Sequence, residues 1–363
     1  MYQSIPKLIV NLNAVLNNFK YLGNLINPSE LCAVVKANSY GIGMNEVSKT
    51  LYEFGKCRKF FVANIEEGIQ LRKILPEAII YVFHGMFSNE EEDFLKNNLI
   101  PILNDFYQLE IWQNFAKSKN LQLKACLHFD TGMNRLGFNS IDVEKVKAKL
   151  DDSLKIDYVL SHLAWGENKN SDLNKFQLEK FNTISKYFPE AKKSLTNSPG
   201  IFLGKEYYFD MIRIGRGLYG QNQYASLPTQ LENVVSIYAP IIQVRNIYED
   251  SPVGYSATHI MKKGSKLAVL AIGYAEGYMR LFGNMGWVNF EGFKLPVVGK
   301  ISMDLITVDV TEVPDEYLQI GKFVEIIGKN IDFHNVLVQA GTSSSELFSR
   351  LGQRLIREYI EVR

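Results

Sequence analysis

The chain has 363 residues, of which 46% are hydrophobic and 22% are charged, and its formal net charge is +1. This length exceeds that of one ordinary domain and favours two, each large enough to bury its own core. The near-neutral charge argues against the electrostatic excess that draws proteins to nucleic acid or acidic membranes, so small-molecule chemistry is the leading expectation.

The beginning of the chain lacks a basic region followed by an uninterrupted apolar run, and no later segment reaches the length of a membrane span. We therefore expect a cytoplasmic protein with no membrane partner. Cys32, Cys57 and Cys126 lie far apart and form no CxxC pair, which argues against a disulfide framework and a zinc site. They are expected to be reduced, packed thiols, and no metal is expected.

Short apolar runs alternate with helix-period segments from residue 31 to about residue 213, which is typical of repeated βα units. The runs are LCAVVKA, KFFVA, AIIYVFH, IPILN, LKACLHFD, KIDYVLSH, KKSLTN and YYFDMIR. Eight parallel strands close a barrel, so we predict an α/β fold with a TIM-type (β/α)8 barrel over residues 8–227. The segments NEVSKTLYEFG, IEEGIQLRKIL and SDLNKFQLEKFNTISKYF are amphipathic and predict helices of the outer ring.

A mainly β domain is predicted for residues 228–363. Its β-branched segments are separated by Gly, Pro and Asp turns and read VVSIYAPIIQV, KLAVLAIGY, FKLPVVGKI, LITVDVT and KFVEIIG. The amino-terminal KLIVNLN also reads as a strand. It would be a ninth barrel strand unless it pairs elsewhere, so we expect the strand within residues 1–10 to join the second domain.

Most barrel runs end in a chemically capable side chain, and barrels of this type build their active sites at the C-terminal strand ends. Lys36 ends a strand so apolar that loss of hydration would lower its pKa and prepare the amine to form an imine. On the local pattern alone, a lysine that snorkels from a strand end to solvent is the more common case.

Ordered motifs connect the chain to a known family. AVVKANSYGIG resembles the pyridoxal-phosphate attachment motif of alanine racemases, and DTGMNRLGF is similar to their DTGMxRxG loop. LSHLA, TNSPG, DMIRIGRGLYG, PVGYSAT, IGYAEGY and VGKISMD follow in the family order, so the resemblance covers nearly the whole length. It implies a cytoplasmic homodimer that interconverts L-alanine and D-alanine by a two-base pyridoxal-phosphate mechanism and supplies D-alanine for peptidoglycan.

The resemblance implies that Lys36 holds the cofactor covalently and that Tyr40 reaches its phosphate. Further phosphate contacts would come from Asn197, Ser198, Gly215 and Arg216, through N–H donors and close backbone approach. On spacing alone, ordinary turns would explain Gly215 and its neighbour Gly217 equally well.

Three more barrel residues match family positions around the cofactor ring. Arg213 would face the pyridine nitrogen and, because an arginine can only donate, would leave that nitrogen unprotonated and the ring a weaker electron sink. His162 would pack against the ring, and Arg135 would bind the phenolic oxygen and the substrate region. From the residues alone, an ion pair between Arg213 and Asp210 and a structural role for His162 stay open.

Racemisation removes a proton from one face of the substrate and returns one to the other, which two opposed bases achieve without movement of either. Tyr255 matches the family's second base, which enters from the partner subunit and serves the L-isomer, while Lys36 serves the D-isomer. A free phenol titrates near ~10, so the tyrosinate needs support, for which His162 and Arg213 are candidates. By composition alone Tyr255 is one of 19 tyrosines, most of which must be packing residues.

The substrate region is completed, by the same resemblance, from the second domain. Tyr274 would narrow the entrance, and the segment of Met303 and Asp304 would meet the substrate carboxylate. Met303 would act through its backbone amide, because a thioether offers little to a carboxylate.

Two positions depart from the family pattern. His128 stands where many relatives carry a carbamylated lysine, so we expect no carbamate, with His128 or a bound anion such as chloride orienting Arg135. Gln353 stands where many relatives have a tyrosine near the entrance, so a racemase that also accepts serine or larger amino acids is an alternative.

Two other classes remain as alternatives. A related barrel-fold decarboxylase usually carries a catalytic cysteine in the second domain, whereas all three cysteines here precede residue 130. A non-catalytic pyridoxal-phosphate carrier shares the barrel but is much shorter.

Overall fold

The computed structural model describes residues 4–220, 230–331 and 333–362. The chain forms two compact units. The barrel unit comprises Ala14–Ser39 and Gly43–Glu232, and the β unit comprises the described parts of Met1–Asn13, Tyr40–Ile42 and Asn233–Arg363. The predicted domain boundary between residues 227 and 228 lies outside the described residues.

The strands are numbered in chain order. They are β1 (Lys7–Asn11), β2 (Glu30–Val34), β3 (Lys59–Val62), β4 (Ile79–Val82), β5 (Leu99–Leu103), β6 (Leu123–Asp130), β7 (Phe138–Asn139), β8 (Leu154–Leu160), β9 (Lys192–Ser194), β10 (Met211–Ile214), β11 (Val235–Asn246), β12 (Ser251–Val253), β13 (His259–Met261), β14 (Lys266–Leu270), β15 (Trp287–Phe290), β16 (Phe293–Pro296), β17 (Ile306–Asp309), β18 (Phe323–Ile327) and β19 (Ile356–Ile360). The α-helices span Leu12–Leu25, Met44–Glu53, Ile65–Ile74, Glu91–Lys96, Phe106–Lys119, Val143–Lys149, Asp172–Ser185, Phe333–Gln339 and Ser344–Ser349.

The barrel unit is built on a parallel sheet in the order β10-β2-β3-β4-β5-β6-β8-β9, with the short β7 added to β6. A parallel bridge between Asn197 and Arg213 links the ends of the ninth and tenth strands and nearly closes the ring. Each of the eight predicted runs overlaps one of the eight strands of this ring. The TIM-type (β/α)8 barrel is therefore confirmed.

The barrel strands are buried on both faces, as expected for a parallel sheet covered by helices. Every residue of β5 is buried, and so are the last three residues of β3. At the N-terminal ends of the second and third strands, the Nζ of Lys59 pairs with Glu30 and lies 2.8 Å from the Oη of Tyr158. Some of the helices begin with a side-chain cap; for example, the side chain of Asn64 accepts from the amide of Glu67 at 3.0 Å.

The β unit has a mixed sheet in the order β16-β15-β18-β11-β1-β19, in which β11 also pairs with β14, and β14 with β17. The amino-terminal strand β1 runs antiparallel to β11, with Leu8 opposite Ile237, and parallel to β19. A register shift between Ile241 and Gln243 lies where β11 meets β14. This mainly β architecture confirms the predicted fold class of the C-terminal region.

Cys32, Cys57 and Cys126 are buried free thiols. Within the described ranges, no helix is long and apolar enough to cross a bilayer. In the same ranges, no cluster of three or more His, Cys, Asp or Glu side chains is arranged to hold a metal ion.

Candidate functional site

The C-terminal ends of the parallel barrel strands bring the predicted residues of the barrel unit to one mouth. Lys36 follows β2, His162 follows β8, Asn197 follows β9, and Arg213 lies within β10. Arg135 lies in the loop that follows β6. Sequence-distant residues therefore share one region, and their mutual electrostatic effects, described below, are consistent with this proximity.

Lys36 opens a left-handed turn of four consecutive non-glycine residues. Ala37, Asn38, Ser39 and Tyr40 have φ values of 50°, 53°, 53° and 57°. Left-handed backbone costs L-residues about 1–2 kcal/mol each, so other contacts must hold this turn. Strain of this kind is concentrated at functional sites.

The Lys36 amine lies in an environment that favours its neutral form. Burial lowers the pKa of Lys36, the charge of Arg135 lowers it further, and Glu67 opposes both effects. Its Nζ lies 5.7 Å from the ring centroid of Phe83. A lysine with a lowered pKa has more unprotonated amine available for nucleophilic attack or for proton abstraction.

Arg213 is a buried cation with an unsatisfied donor. Only 3% of the residue is exposed, and its Nη1 donates to the carbonyl oxygen of Ser194 at 2.9 Å. Its Nε is buried and has no hydrogen-bond partner among the described residues. Burial lowers the pKa of Arg213 to about 10, so the guanidinium stays charged at neutral pH. Asp210 is engaged elsewhere, since its Oδ2 accepts from the amide of Lys193 at 2.8 Å.

A buried donor without a partner indicates that a bound group supplies the acceptor. The unpaired Nε of Arg213 thus fits an uncharged ring nitrogen better than a protonated one, which could not accept.

His162 lies between two donors. Its Nδ1 is 3.4 Å from the Nη2 of Arg213, and its Nε2 is 3.3 Å from the Nδ2 of Asn197. Burial, followed by the charges of Arg213 and Arg135, holds the pKa of His162 well below its usual value. A neutral imidazole has one acceptor nitrogen, so only one of these contacts can be a hydrogen bond at a time.

Two strand-end loops converge beside this group. The Oγ of Ser198 accepts from the amides of Gly215 and Gly217, each at 3.1 Å. The Oδ1 of Asn197 accepts from the amide of Gly200 at 3.2 Å, and Arg216 begins the short 3-10 helix Arg216–Tyr219. These bonds hold the loops of Ser198 and Gly215 against each other at the strand ends, a place where backbone N–H groups commonly bind anions such as phosphate.

The loop of Arg135 is shaped by Asp130. The Oδ1 of Asp130 accepts from the amides of Gly132 at 3.0 Å, Met133 at 2.8 Å and Asn134 at 3.1 Å. Burial raises the pKa of Asp130, but these backbone donors bring it below its ordinary value. Arg135 itself is exposed, which leaves its guanidinium accessible to an anionic ligand.

The predicted residues of the β unit lie on exposed loops. Tyr255 is 66% exposed, Met303 53% and Tyr274 43%. The last two belong to adjoining loops, because the amide of Ala275 donates to the carbonyl oxygen of Met303 at 2.9 Å. Gln353 is exposed, and Tyr40 ends the left-handed turn within the short Tyr40–Ile42 segment that groups with the β unit.

Asp304 is held by residues that sequence reasoning did not single out. Its Oδ1 lies 2.7 Å from the Nη2 of Arg354, which also pairs with the buried Glu276. Phe83 beside Lys36 was missed as well, although its position just after β4 was a usable signal.

Comparisons with known proteins agree with one another. Residues 10–223 match the family model "Alanine racemase, N-terminal domain", and residues 234–359 match "Alanine racemase, C-terminal domain". The alanine racemase of Rickettsia canadensis is 43% identical over 359 residues, which cover 98% of this chain and 99% of that protein. The one from Rickettsia rickettsii is 41% identical over 360 residues, with coverage of 98% and 99%.

Solved structures give the same picture. The crystal structure of alanine racemase from Bartonella henselae, with covalently bound pyridoxal phosphate, matches with a TM-score of 0.93 and 38% identity. It covers 98% of this chain and 99% of that one. The similarity therefore extends over nearly the full length of both.

Proposed function

The chain belongs to the alanine racemase family, and from this premise we propose that it exchanges L-alanine and D-alanine by means of two bases, Lys36 and Tyr255. The observation that carries the proposal is the charged, buried guanidinium of Arg213, whose Nε lacks a partner among the described residues. A donor of this kind, beside a lysine with a lowered pKa, suits a heteroaromatic cofactor that also carries an aldehyde.

The residues of the barrel mouth fit pyridoxal phosphate. Lys36 would hold it covalently, Arg213 and His162 would contact its ring, and Arg135 its phenolic oxygen. The phosphate would be bound by Tyr40, Asn197, Ser198, Gly215 and Arg216. The amides of Gly215 and Gly217 both donate to the Oγ of Ser198, which holds this part of the site together. When bound, the cofactor supplies an electron sink for the pair left behind when the α-proton departs.

The two bases handle protons on opposite faces of the substrate. The neutral Nζ of Lys36 takes the α-proton of D-alanine, and the phenolate Oη of Tyr255 takes that of L-alanine. The opposite base starts protonated in each direction: the phenol of Tyr255 donates its proton when Lys36 takes that of D-alanine, and the ammonium of Lys36 donates when Tyr255 takes that of L-alanine. Because Arg213 stays charged and can only donate, it limits how strongly the ring withdraws electrons, which favours rapid return of a proton over side reactions.

Substrate binding draws on charge and on the exposed loops of the β unit. Arg135, on the loop that Asp130 shapes, would attract the substrate carboxylate, which would also meet the backbone of Met303 beside Asp304. Tyr274 would narrow the entrance. His128, the residue that replaces the carbamylated lysine, would orient Arg135 directly or through a bound anion.

We propose a homodimer in which each site takes Lys36 from one protomer and Tyr255 from the other. The exposure of Tyr255 and Met303 supports this, since large exposed apolar side chains are available for burial in an association surface. The proposed domains are residues 8–227 and 228–363, the latter joined by the strand within 1–10. Three buried free thiols suit the reducing cytoplasm, which we propose as the location.

A chiral assay tests the function. Purified protein is incubated with individual L-amino acids, alanine and serine among them, with and without added pyridoxal phosphate, and the D-product is measured. We expect alanine to be racemised fastest, with dependence on the cofactor. Retained stereochemistry for every amino acid would contradict the proposal, whereas comparable rates with serine would assign a broader racemase and point to Gln353.

A further inference from the structure

The carboxylate of Glu67 spans the ends of two neighbouring barrel strands. Its Oε1 accepts from the backbone amide of Ala37 at 2.6 Å, and its Oε2 accepts from that of Ala63 at 2.7 Å. Ala37 is the residue after Lys36, and Ala63 directly follows the third strand. Both carboxylate oxygens are thus used by backbone donors, one at each strand end.

Ala37 is also the first residue of the left-handed turn that begins at Lys36. Two further bonds of the turn are local: the amide of Ser39 donates to the carbonyl oxygen of Val35 at 2.9 Å, and that of Gly43 to the carbonyl oxygen of Asn38 at 3.0 Å. The bond from Ala37 to a side chain of another element is different in kind. It ties a strained segment to the rigid start of the helix Ile65–Ile74.

The side chain that forms this tie is itself well fixed. The backbone amide of Glu67 donates to the Oδ1 of Asn64, the residue that caps the same helix, at 3.0 Å. A carboxylate that accepts from backbone N–H groups forms charge-assisted hydrogen bonds, which are about twice as strong as neutral ones. Glu67 can therefore hold the turn in a geometry that the local sequence would not adopt alone.

We propose that Glu67 is a positioning residue that fixes the direction in which Lys36 leaves its strand, by clamping the amides of Ala37 and Ala63 with one carboxylate. The proposal rests on the proposed role of Lys36 as cofactor-holding base. The same carboxylate raises the pKa of Lys36 against the effect of burial, so it influences both the placement and the protonation of the amine.

The chain offers matched variants for a test. Glu67→Gln keeps the shape but replaces one acceptor oxygen by an N–H₂ group that cannot accept from a backbone amide. Glu67→Asp keeps the charge but is one methylene shorter, too short to reach both amides. Glu66→Gln removes the same charge from the exposed neighbour in the same helical turn. Asn64→Ala removes the helix cap that steadies Glu67 but keeps both acceptor oxygens of the clamp.

The first measurement is the rate at which apoprotein captures pyridoxal phosphate. Samples are trapped with borohydride at timed intervals, and the Lys36 peptide is then analysed by mass spectrometry. We expect both Glu67 variants to slow the capture about tenfold or more, the factor that corresponds to one charge-assisted hydrogen bond. Glu66→Gln should behave as wild type, and Asn64→Ala should lower the melting temperature while slowing the capture less than the Glu67 variants do.

The second measurement separates a Lys36 defect from a general one. In the Glu67 variants the primary isotope effect should increase with α-deuterated D-alanine, whose proton Lys36 takes, and stay unchanged with α-deuterated L-alanine. Capture at the wild-type rate in both Glu67 variants, or equal slowing in Asn64→Ala, would overturn the clamp. Trapping of the wild-type cofactor on a lysine other than Lys36 would instead overturn the proposed function, so the two failures are distinguishable.

Discussion

The Nδ1 of His128 lies 2.8 Å from the Oδ1 of Asn104, and this contact determines which nitrogen of the imidazole carries the proton. The Nδ2 of Asn104 donates to the carbonyl oxygens of Ile102 at 2.8 Å and Phe83 at 3.0 Å, which fixes the orientation of the amide. The Oδ1 must therefore accept, and Nδ1 of His128 must donate. The Nε2 is left as an acceptor that can serve the guanidinium of Arg135.

A nitrogen-15 correlation spectrum of imidazole-labelled protein tests this tautomer. Burial, with the charges of Arg213 and Arg135, lowers the pKa of His128 to about 3. We therefore expect a neutral ring protonated on Nδ1 from pH 8 to about pH 5, well above that value. Asn104→Asp should move the titration upward, because a carboxylate stabilises the imidazolium. A wild-type ring protonated on Nε2 contradicts the assignment.

The same shift predicts a dependence of stability on pH. The folded protein keeps His128 neutral, whereas the unfolded chain protonates it below about pH 6.5. The unfolded state then binds more protons, so the free energy of unfolding should fall as the pH decreases from about 6.5 towards 3. His162, whose pKa is also lowered, acts in the same direction. In urea unfolding, the free energy of unfolding of His128→Gln should fall less steeply with decreasing pH than that of wild type. The control His84→Gln, at an exposed position, should show the same pH dependence as wild type.

Much of the fold could be predicted because buried parallel strands read as continuous apolar runs. The strand Leu99–Leu103, buried at every position, is the clearest case. The strand Ile356–Ile360 was not predicted, since its residues are half-buried or exposed and its partner Lys7–Asn11 lies at the opposite end of the chain. Pairing across such a distance leaves no local signal.

The candidate site divides in the same way. The placement of Lys36, His162 and Arg213 at one mouth could be predicted because strand ends of a barrel converge, whereas their roles came from the family resemblance and stay predictions. Glu67 could not, because an acidic residue in the first turn of a helix is ordinary on electrostatic grounds alone. Its importance arises from the two backbone amides that only the folded chain brings within reach.

The polar group formed by Lys59, Glu30 and Tyr158 in the barrel should contribute to stability. Lys59 pairs with Glu30 and contacts Tyr158, and its pKa is raised by these partners in spite of burial. Lys59→Met should lower the free energy of unfolding by about 1–3 kcal/mol, because it leaves partly buried acceptors without a donor. Lys124→Met, which breaks a 4.0 Å pair of a more exposed lysine, is the control and should cost less. Equal losses in urea unfolding would contradict this account.

Lys36→Ala should abolish both the visible absorbance of the lysine-bound cofactor and the racemase activity, because no other amine is proposed to hold the aldehyde. Absorbance spectra after dialysis with pyridoxal phosphate test the first effect, and chiral analysis of alanine the second. Lys7→Ala serves as the control, since this lysine pairs with Glu358 in the β unit at 3.0 Å. An unchanged spectrum in Lys36→Ala would place the cofactor on another lysine.

The shared site predicts complementation between two inactive variants. If each site takes Lys36 from one protomer and Tyr255 from the other, homodimers of Lys36→Ala and of Tyr255→Phe each lack one base in both sites. A mixed dimer collects both substitutions in one site and leaves the other site intact. Random exchange makes about half of the dimers mixed, so activity should return to about a quarter of wild type by two-fold symmetry.

The control for this experiment is a direct demonstration of subunit exchange. A fluorescent label on each variant, or native mass spectrometry of the mixture, detects the mixed dimers. A double variant, Lys36→Ala with Tyr255→Phe, mixed with Lys36→Ala should regain nothing, because no site in that mixture receives a lysine. Recovery must therefore require one parent with an intact Lys36 and the other with an intact Tyr255. If exchange is demonstrated and the two single variants together stay inactive, Tyr255 either acts within its own chain or is not the second base.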